Sequence, residues 1–227
     1  MIPTDILFDM DGTLLDSRAA VVDAVADGLT GAYRRHGLPL AEPDRGLIAD
    51  CMGLPSAEYF ERAYDPATVP PEVRAAFALT YGRLTAEAEI AAIDAGRTAL
   101  YPGAEETLAA LAERHRLLLF SNAGEVYFRA VIAGHGLERF FAEALCLEEA
   151  VTRGVATDKA GMVAALVADP AHAVVVGDRA GDIEAGRAAG ARTVGCRYGF
   201  GTPEELQAAD WIIDDLPDLL SLSRQAF

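Results

Sequence analysis

The sequence predicts an α/β protein: a doubly wound parallel sheet interrupted after its first strand by an all-helical insertion. Three observations lead there. Runs of branched apolar residues recur at "DILFD" (5–9), "RLLLFS" (116–121), "EALCL" (143–147), "HAVVVGD" (172–178), "RTVGC" (192–196) and "WII" (211–213), and they lack the apolar–polar alternation of half-exposed strands. Parallel strands covered on both faces read this way. From about residue 100 onward the runs alternate with helical patterns, which implies crossover connections and a doubly wound sheet. Residues 18 to 96 break that rhythm.

In chain order, the strand at 5–9 comes first and stands apart from the rest of its sheet. The insertion follows, with helical patterns at "AAVVDAVADGLTGAYRRHG" (19–37), "SAEYFERAY" (56–64) and "PPEVRAAFALTYGRLTAEAEI" (70–90), punctuated by Pro and Gly and without a convincing strand. The later helices read as "GAEETLAALAER" (103–114), "GEVYFRAVIAG" (124–134), "DKAGMVAALVA" (158–168) and "GDIEAGRAAG" (181–190). The expected division is a catalytic core of 1–17 and 97–227 and a helical insert of 18–96.

Composition narrows the function. With 227 residues, 52% hydrophobic and 24% charged, the chain belongs with ordinary soluble globular proteins. Its 19 Lys and Arg against 35 Asp and Glu give a net charge of −16, which repels nucleic acid and anionic lipid surfaces. An anionic substrate would need a bound cation or a few placed basic side chains. Cys51, Cys146 and Cys196 are too scattered for a disulfide framework or zinc site, and no stretch reads as a signal peptide or membrane span. A cytoplasmic protein is expected, with no nucleic-acid or membrane partner, as a monomer or homodimer.

Ligands of open α/β sheets bind beyond the carboxyl ends of the strands, so the residues just after each run carry the chemistry. After the first come Asp9, Asp11, Gly12 and Thr13; after the second, Ser121 and Asn122; after "AVVVG", Asp178, with Asp182 four residues on. Lys159 opens a helix, where the helix dipole disfavours a cation unless an anion is near. Four carboxylates converging on one rim call for a hard cation, and oxygen-only ligands favour Mg²⁺. The Ser121 hydroxyl, the N–H groups around Asn122 and the Lys159 ammonium would then hold an anion, which suggests a phosphoryl group. Of the two aspartates one residue apart, one can attack phosphorus to form an aspartyl phosphate, and the other can protonate the leaving oxygen and later take a proton from water.

Here "FDMDGTLLDS", "FSN", Lys159 and "VVVGDRAGD", in that order, resemble the four motifs of the haloacid dehalogenase (HAD) superfamily. The resemblance implies Asp9 as nucleophile, Asp11 as acid/base, and Mg²⁺ held by Asp9, the backbone carbonyl of Asp11 and Asp178, with Asp182 supporting the metal directly or through water. It implies that Ser121 and Lys159 act in catalysis and that Gly12, Thr13, Ser121, Asn122 and Lys159 hold the phosphate. The second aspartate argues against carbon–halogen cleavage, and the insert resembles the C1-type cap of the phosphoglycolate phosphatase-like branch. "DKAGMV" stands where many relatives carry Lys-Pro, and Arg179 where Ser is frequent; Arg179 would meet substrate or pair with a surface acid.

The expected activity is a Mg²⁺-dependent phosphatase acting on a small phosphorylated metabolite such as phosphoglycolate, a sugar phosphate or a nucleotide. A phosphomutase would use the same core residues, and a phospho-accepting signalling module a similar pocket without the Asp11 acid/base. In the insert, Arg18, Tyr33, Arg45, Arg62 and "CMGLPS" (51–56) are candidates to touch the leaving group, with packing or solvation the commoner role. His36, His115, His135 and His172 have no ligand spacing.

Overall fold

The computed structural model describes residues 4–39 and 42–226; of the expected segments, residues 1–3, 40–41 and 227 lie outside the described residues. Eight strands are found among them: β1 (Asp5–Phe8), β2 (Leu15–Asp16), β3 (Ala99–Leu100), β4 (Arg116–Ser121), β5 (Glu143–Cys146), β6 (Ala173–Gly177), β7 (Arg192–Cys196) and β8 (Trp211–Ile213). Six form one parallel sheet in the order β5-β4-β1-β6-β7-β8. From β1 the chain winds through β4 to β5 on one side, then through β6, β7 and β8 on the other. The direction of winding therefore reverses between β1 and β6, the switch point where such sheets bind ligands. Phe8 pairs with Leu119 and Val176, so β1, β4 and β6 end nearly level.

The chain divides into two compact units: a core unit up to Asp16 and from Ala99 onward, and a helical unit, Ser17–Thr98. The helical unit contains α1 (Arg18–Arg35), α2 (Arg45–Asp50), α3 (Ser56–Arg62) and α4 (Arg74–Asp94). Its long helices α1 and α4 approach closely where Gly28 faces Thr85; a methyl group on Gly28 would lie 2.1 Å from Thr85 Oγ1. Its interior is aromatic, with the fully buried Phe77 ring centred 5.0 Å from Tyr33, 5.4 Å from Tyr64 and 5.8 Å from His36.

The core unit carries α5 (Ala104–Ala112), α6 (Glu125–Gly134), α7 (Leu147–Thr152), α8 (Lys159–Leu166), α9 (Ala180–Ala189) and α10 (Asp218–Ala226). Its strands are buried because both faces are covered: Leu7, Leu118, Phe120 and Val175 pack in one cluster with Met162, Val163 and Leu166 of α8 and Ala185 of α9. Burying side chains of this size stabilises by roughly 1.5–3 kcal/mol each. Among the described residues no helix is long and apolar enough to cross a membrane.

Five short elements depart from the sequence expectation. Leu147, read as the end of a strand, opens α7, where the Glu149 carboxylate accepts from the Cys146 N–H and caps the turn. Helix α2, of six residues, was too short to stand out by periodicity, whereas α10 is amphipathic and was not among the helices expected. Strands β2 and β3 form a two-residue antiparallel ribbon pairing Asp16 with Ala99, too short for any pattern to signal.

Candidate active site

Strand β1 delivers Asp9 to the rim, and the Asp9 N–H still donates to Val176 O (2.9 Å), which anchors the residue to β6. Asp178 follows β6, and Asp182 sits one turn into α9, where its Oδ2 accepts from the Arg179 N–H (3.0 Å). Carboxylate oxygens of Asp9, Asp178 and Asp182 lie within 4.8 Å of one another, and all three residues are buried. Unit charges at that separation repel by roughly 3 kcal/mol at an effective dielectric near 20. Lys159, in the first turn of α8, answers part of this: its Nζ donates to Asp9 Oδ1 (2.6 Å) and Asp182 Oδ1 (2.5 Å).

The electrostatics leave the cluster short of positive charge. Burial pushes the Asp9 carboxyl well above its usual range; the Lys159 ammonium opposes that, while Asp182 and Asp178 add to it. Burial, and then Asp182, push Asp178 up to about 7, against the pull of the Phe200 N–H, Lys159 and Arg179. Burial also works against the charge on Lys159, but Asp182 and Asp9 more than offset it and hold the ammonium above its ordinary value. Three buried carboxylates facing one ammonium, with oxygen donors only, fit a hard divalent cation.

The fourth carboxylate departs from expectation. Asp11 was read as converging with the others, but its carboxyl is outside the three-residue cluster, and its Oδ1 accepts from Tyr127 Oη (2.7 Å). Thr13 and Gly12, expected to hold the phosphate, make their bonds within the protein. The fully buried Thr13 donates its hydroxyl to Asp178 Oδ1 (3.3 Å), and the Gly12 N–H is taken by Leu15 O (2.9 Å). Gly12 sits at φ +84° with its Cα against the Asp178 carboxyl, where an added Cβ would come within 2.4 Å of Oδ2. Only glycine fits both constraints. Both residues serve the shape of the carboxylate's pocket.

Ser121 ends β4, next to β1. Its Oγ accepts from the Ala123 N–H (3.1 Å), which leaves the hydroxyl hydrogen to donate elsewhere, and half-buried Asn122 follows. Arg179 pairs with an acid: its Nε donates to Glu205 Oε2 (2.8 Å). Glu205 also accepts from the N–H groups of Ala180 (3.1 Å) and Thr202 (3.2 Å).

That carboxylate tethers a segment, "YGFGTPEELQ", to which the sequence alone gave no role at the site. Between β7 and Glu205, the N–H groups of Phe200 (2.6 Å) and Gly201 (3.3 Å) donate to Asp178 Oδ2, and Tyr198 Oη donates to Thr13 O (2.8 Å). A Cβ on Gly199 would lie 2.3 Å from Asp178 Cβ, and one on Gly201 would lie 2.0 Å from the Asp178 carbonyl oxygen. The signal was present in "YGFG": two glycines one residue apart after a strand mark a close backbone approach. Tyr127 was given no role either. It belongs to the buried stripe Tyr127, Phe128, Val131, Ile132 of α6, where a phenolic oxygen needs a partner.

In the helical unit, Arg45 pairs with Asp23, Arg62 with Glu58 (2.6 Å), and the Tyr33 hydroxyl with Thr68. Arg18 is exposed at the start of α1, and Cys51 and Met52 are buried. All three cysteines are free and buried. His36 bonds Thr80 and His172 bonds Asp169, while burial holds His115 and His135 below the usual imidazole range.

Fold and site together define a doubly wound α/β enzyme with a buried, oxygen-only cluster at the switch point of its sheet. The chain belongs to the haloacid dehalogenase-like hydrolases, whose family profile matches residues 6–190. It is similar to a phosphoglycolate phosphatase of Pectobacterium atrosepticum, 28% identical over 95% of this chain and 90% of that one. It is also similar to an N-acetylmuramic acid 6-phosphate phosphatase of Pseudomonas aeruginosa, 29% identical over 97% and 95%. Among solved structures, a predicted phosphoglycolate phosphatase from Haemophilus somnus superposes with a TM-score of 0.74, at 26% identity, over 97% of this chain and 98% of that one.

Proposed function

We propose that this hydrolase is a Mg²⁺-dependent phosphatase that releases phosphate from a small phosphorylated metabolite, phosphoglycolate first among the candidates, through an aspartyl phosphate. The observation that carries the reading is the buried cluster of Asp9, Asp178 and Asp182, with Lys159 bridging two of them. Relatives along nearly the whole chain that are named as phosphatases of phosphoglycolate and of a phosphorylated sugar support the substrate class.

Asp9, Asp178, Asp182 and the backbone carbonyl of Asp11 would hold the magnesium ion. When bound, the ion supplies positive charge to the cluster and to the phosphoryl oxygens. Asp9 attacks phosphorus with one carboxylate oxygen. Lys159 has three N–H bonds, two of which hold Asp9 and Asp182, so the third remains for a phosphoryl oxygen. The Ser121 hydroxyl and the N–H of Asn122 hold the others. Asp11 gives a proton to the leaving oxygen and then takes one from the water that hydrolyses the aspartyl phosphate. The helical unit is the part of the chain that selects the leaving group.

The test is free-phosphate release across a panel of phosphorylated metabolites, with Mg²⁺ and with a chelator. Release that depends on the metal is expected. Release unchanged by chelation, or an isomerised product without free phosphate, would overturn the proposal.

A further inference from the structure

The geometry points to Tyr127 as the positioning residue of the acid/base Asp11, setting which carboxyl oxygen carries the proton. This rests on the role proposed for Asp11. The phenol is 7% exposed, lies in the first turn of α6 and donates to Asp11 Oδ1 at 2.7 Å, a normal length for an O–H···O bond.

An aspartate carboxyl rotates easily about its last torsion, which is broad and two-fold, so its oxygens exchange unless something distinguishes them. The phenol distinguishes them. With Oδ1 accepting from the phenol, the neutral acid that keeps this bond in its present direction carries its proton on Oδ2. In the ionised form the same bond persists on Oδ1, and Oδ2 is the oxygen that acts as base. One atom then serves both half-reactions. In the first, Oδ2 gives its proton to the ester oxygen as the P–O bond breaks, its electron pair stays with the leaving group, and the Asp9 O–P bond forms. In the second, Oδ2 takes a proton from water as the water oxygen bonds to phosphorus, and the Asp9 O–P bond breaks to return the carboxylate.

The placement of Tyr127 makes the arrangement stiff. Strand β4 runs into Ser121, the turn held by the Ala123 N–H, and α6, whose first N–H (Glu125) donates to Glu148 Oε2 at 2.7 Å. The short segment that presents the Ser121 hydroxyl therefore also locks the carboxyl of Asp11. Asp11 is half-buried, and the buried phenol excludes water from one of its oxygens.

The test uses the leaving group. Departure of an alkoxide needs a proton and departure of 4-nitrophenolate does not, and kcat/KM covers only the steps through that departure. Wild type, Tyr127→Phe and Asp11→Asn are compared on phosphoglycolate and on 4-nitrophenyl phosphate; should phosphoglycolate not turn over, the best alkyl monoester of the panel takes its place. Asp11→Asn is expected to lower kcat/KM for the alkyl ester on the order of 10²-fold or more and to spare the aryl ester. Tyr127→Phe, which keeps the ring and whose folding is checked by its melting temperature, is expected to lower the alkyl value about tenfold and leave the aryl value within about twofold. Equal losses on both esters, or none on either, would overturn the role of Tyr127 while Asp11→Asn still discriminates. If Asp11→Asn itself does not discriminate, the acid/base assignment falls and the role of Tyr127 with it.

Discussion

The rim of the sheet and the ring stack of the helical unit bury polar groups differently. At the sheet rim, Thr13 bonds Asp178, Asp178 takes the N–H groups of Phe200 and Gly201, Asp182 takes Lys159 and the Arg179 N–H, and Glu205 ties Arg179 to Thr202. In the helical unit the interior is a stack of rings, and the buried Tyr81 Oη and Thr85 Oγ1 have no hydrogen-bond partner among the described residues. Charges are held at the rim, whereas the Tyr81 and Thr85 hydroxyls stand without a partner in the ring stack, beside the bonded pairs Tyr33–Thr68 and His36–Thr80. The rim should therefore respond to the change of a single atom, and the helical interior to the loss of volume.

The largest effects test those two responses directly. Asp9→Asn changes one oxygen for an amide, and we expect phosphate release to fall on the order of 10³-fold or more. Its melting temperature should hold, because the change removes one of three crowded carboxylates. Retained turnover would refute the nucleophile assignment. Phe77→Ala instead empties a fully buried position ringed by Tyr33, Tyr64, His36 and Tyr81. We expect it to cost about 3–5 kcal/mol in urea unfolding. A cost below about 1 kcal/mol would show that the rings repack and that volume does not decide stability there.

What could be read from the sequence follows the same contrast. The parallel strands were legible because strands buried on both faces carry continuous apolar runs. The rim positions of Asp9, Asp178 and Ser121 were legible because they sit at or directly after the ends of those runs, and Lys159 was marked by a cation at a helix start. Tyr127 was not, and the tether from Tyr198 to Glu205 left only the glycines of "YGFG" as a trace. Their part in the site comes from partners 116 and 185 residues away along the chain for Tyr127 and Tyr198, and no local pattern encodes such a pairing. In the helical unit an aromatic at helical spacing has the same signature whether it packs or recognises, so the sequence pattern does not separate the two.

Intermediate effects sharpen the picture of the rim. Glu205→Ala should free the segment whose N–H groups orient Asp178, and we expect Mg²⁺ affinity measured by calorimetry to drop about 10–100-fold. Unchanged affinity would mean that Gly199 and Gly201 hold the segment by packing alone. pH gives a second handle. The folded-state value of Asp178 is raised from 3.8 to about 7, so stability from its bound proton is complete below the unfolded value and is lost as pH rises through about 7. Without metal, the melting temperature of wild type should fall over that window relative to Asp178→Asn. Stabilisation by Mg²⁺ should grow over the same window, since the metal needs the ionised carboxylate. Parallel melting curves for the two proteins at all pH values would contradict this.

The smallest effects are the most direct probe of the contrast, because they remove a hydroxyl at nearly constant volume. Thr13→Val takes away the donor to Asp178 Oδ1 at a fully buried position, and we expect a loss of about 1–2 kcal/mol in urea unfolding. Tyr81→Phe takes away a hydroxyl that is buried without a partner, and burial already raises that phenol above its usual range. The expected change is between zero and a gain of about 1 kcal/mol, because no bond is broken and an unsatisfied group is removed. A loss above about 1 kcal/mol would mean that the Tyr81 hydroxyl does have a partner in solution, such as a trapped water shared with Thr85. The helical interior would then be a polar network like the rim, and the difference between the two units would be one of side-chain composition alone.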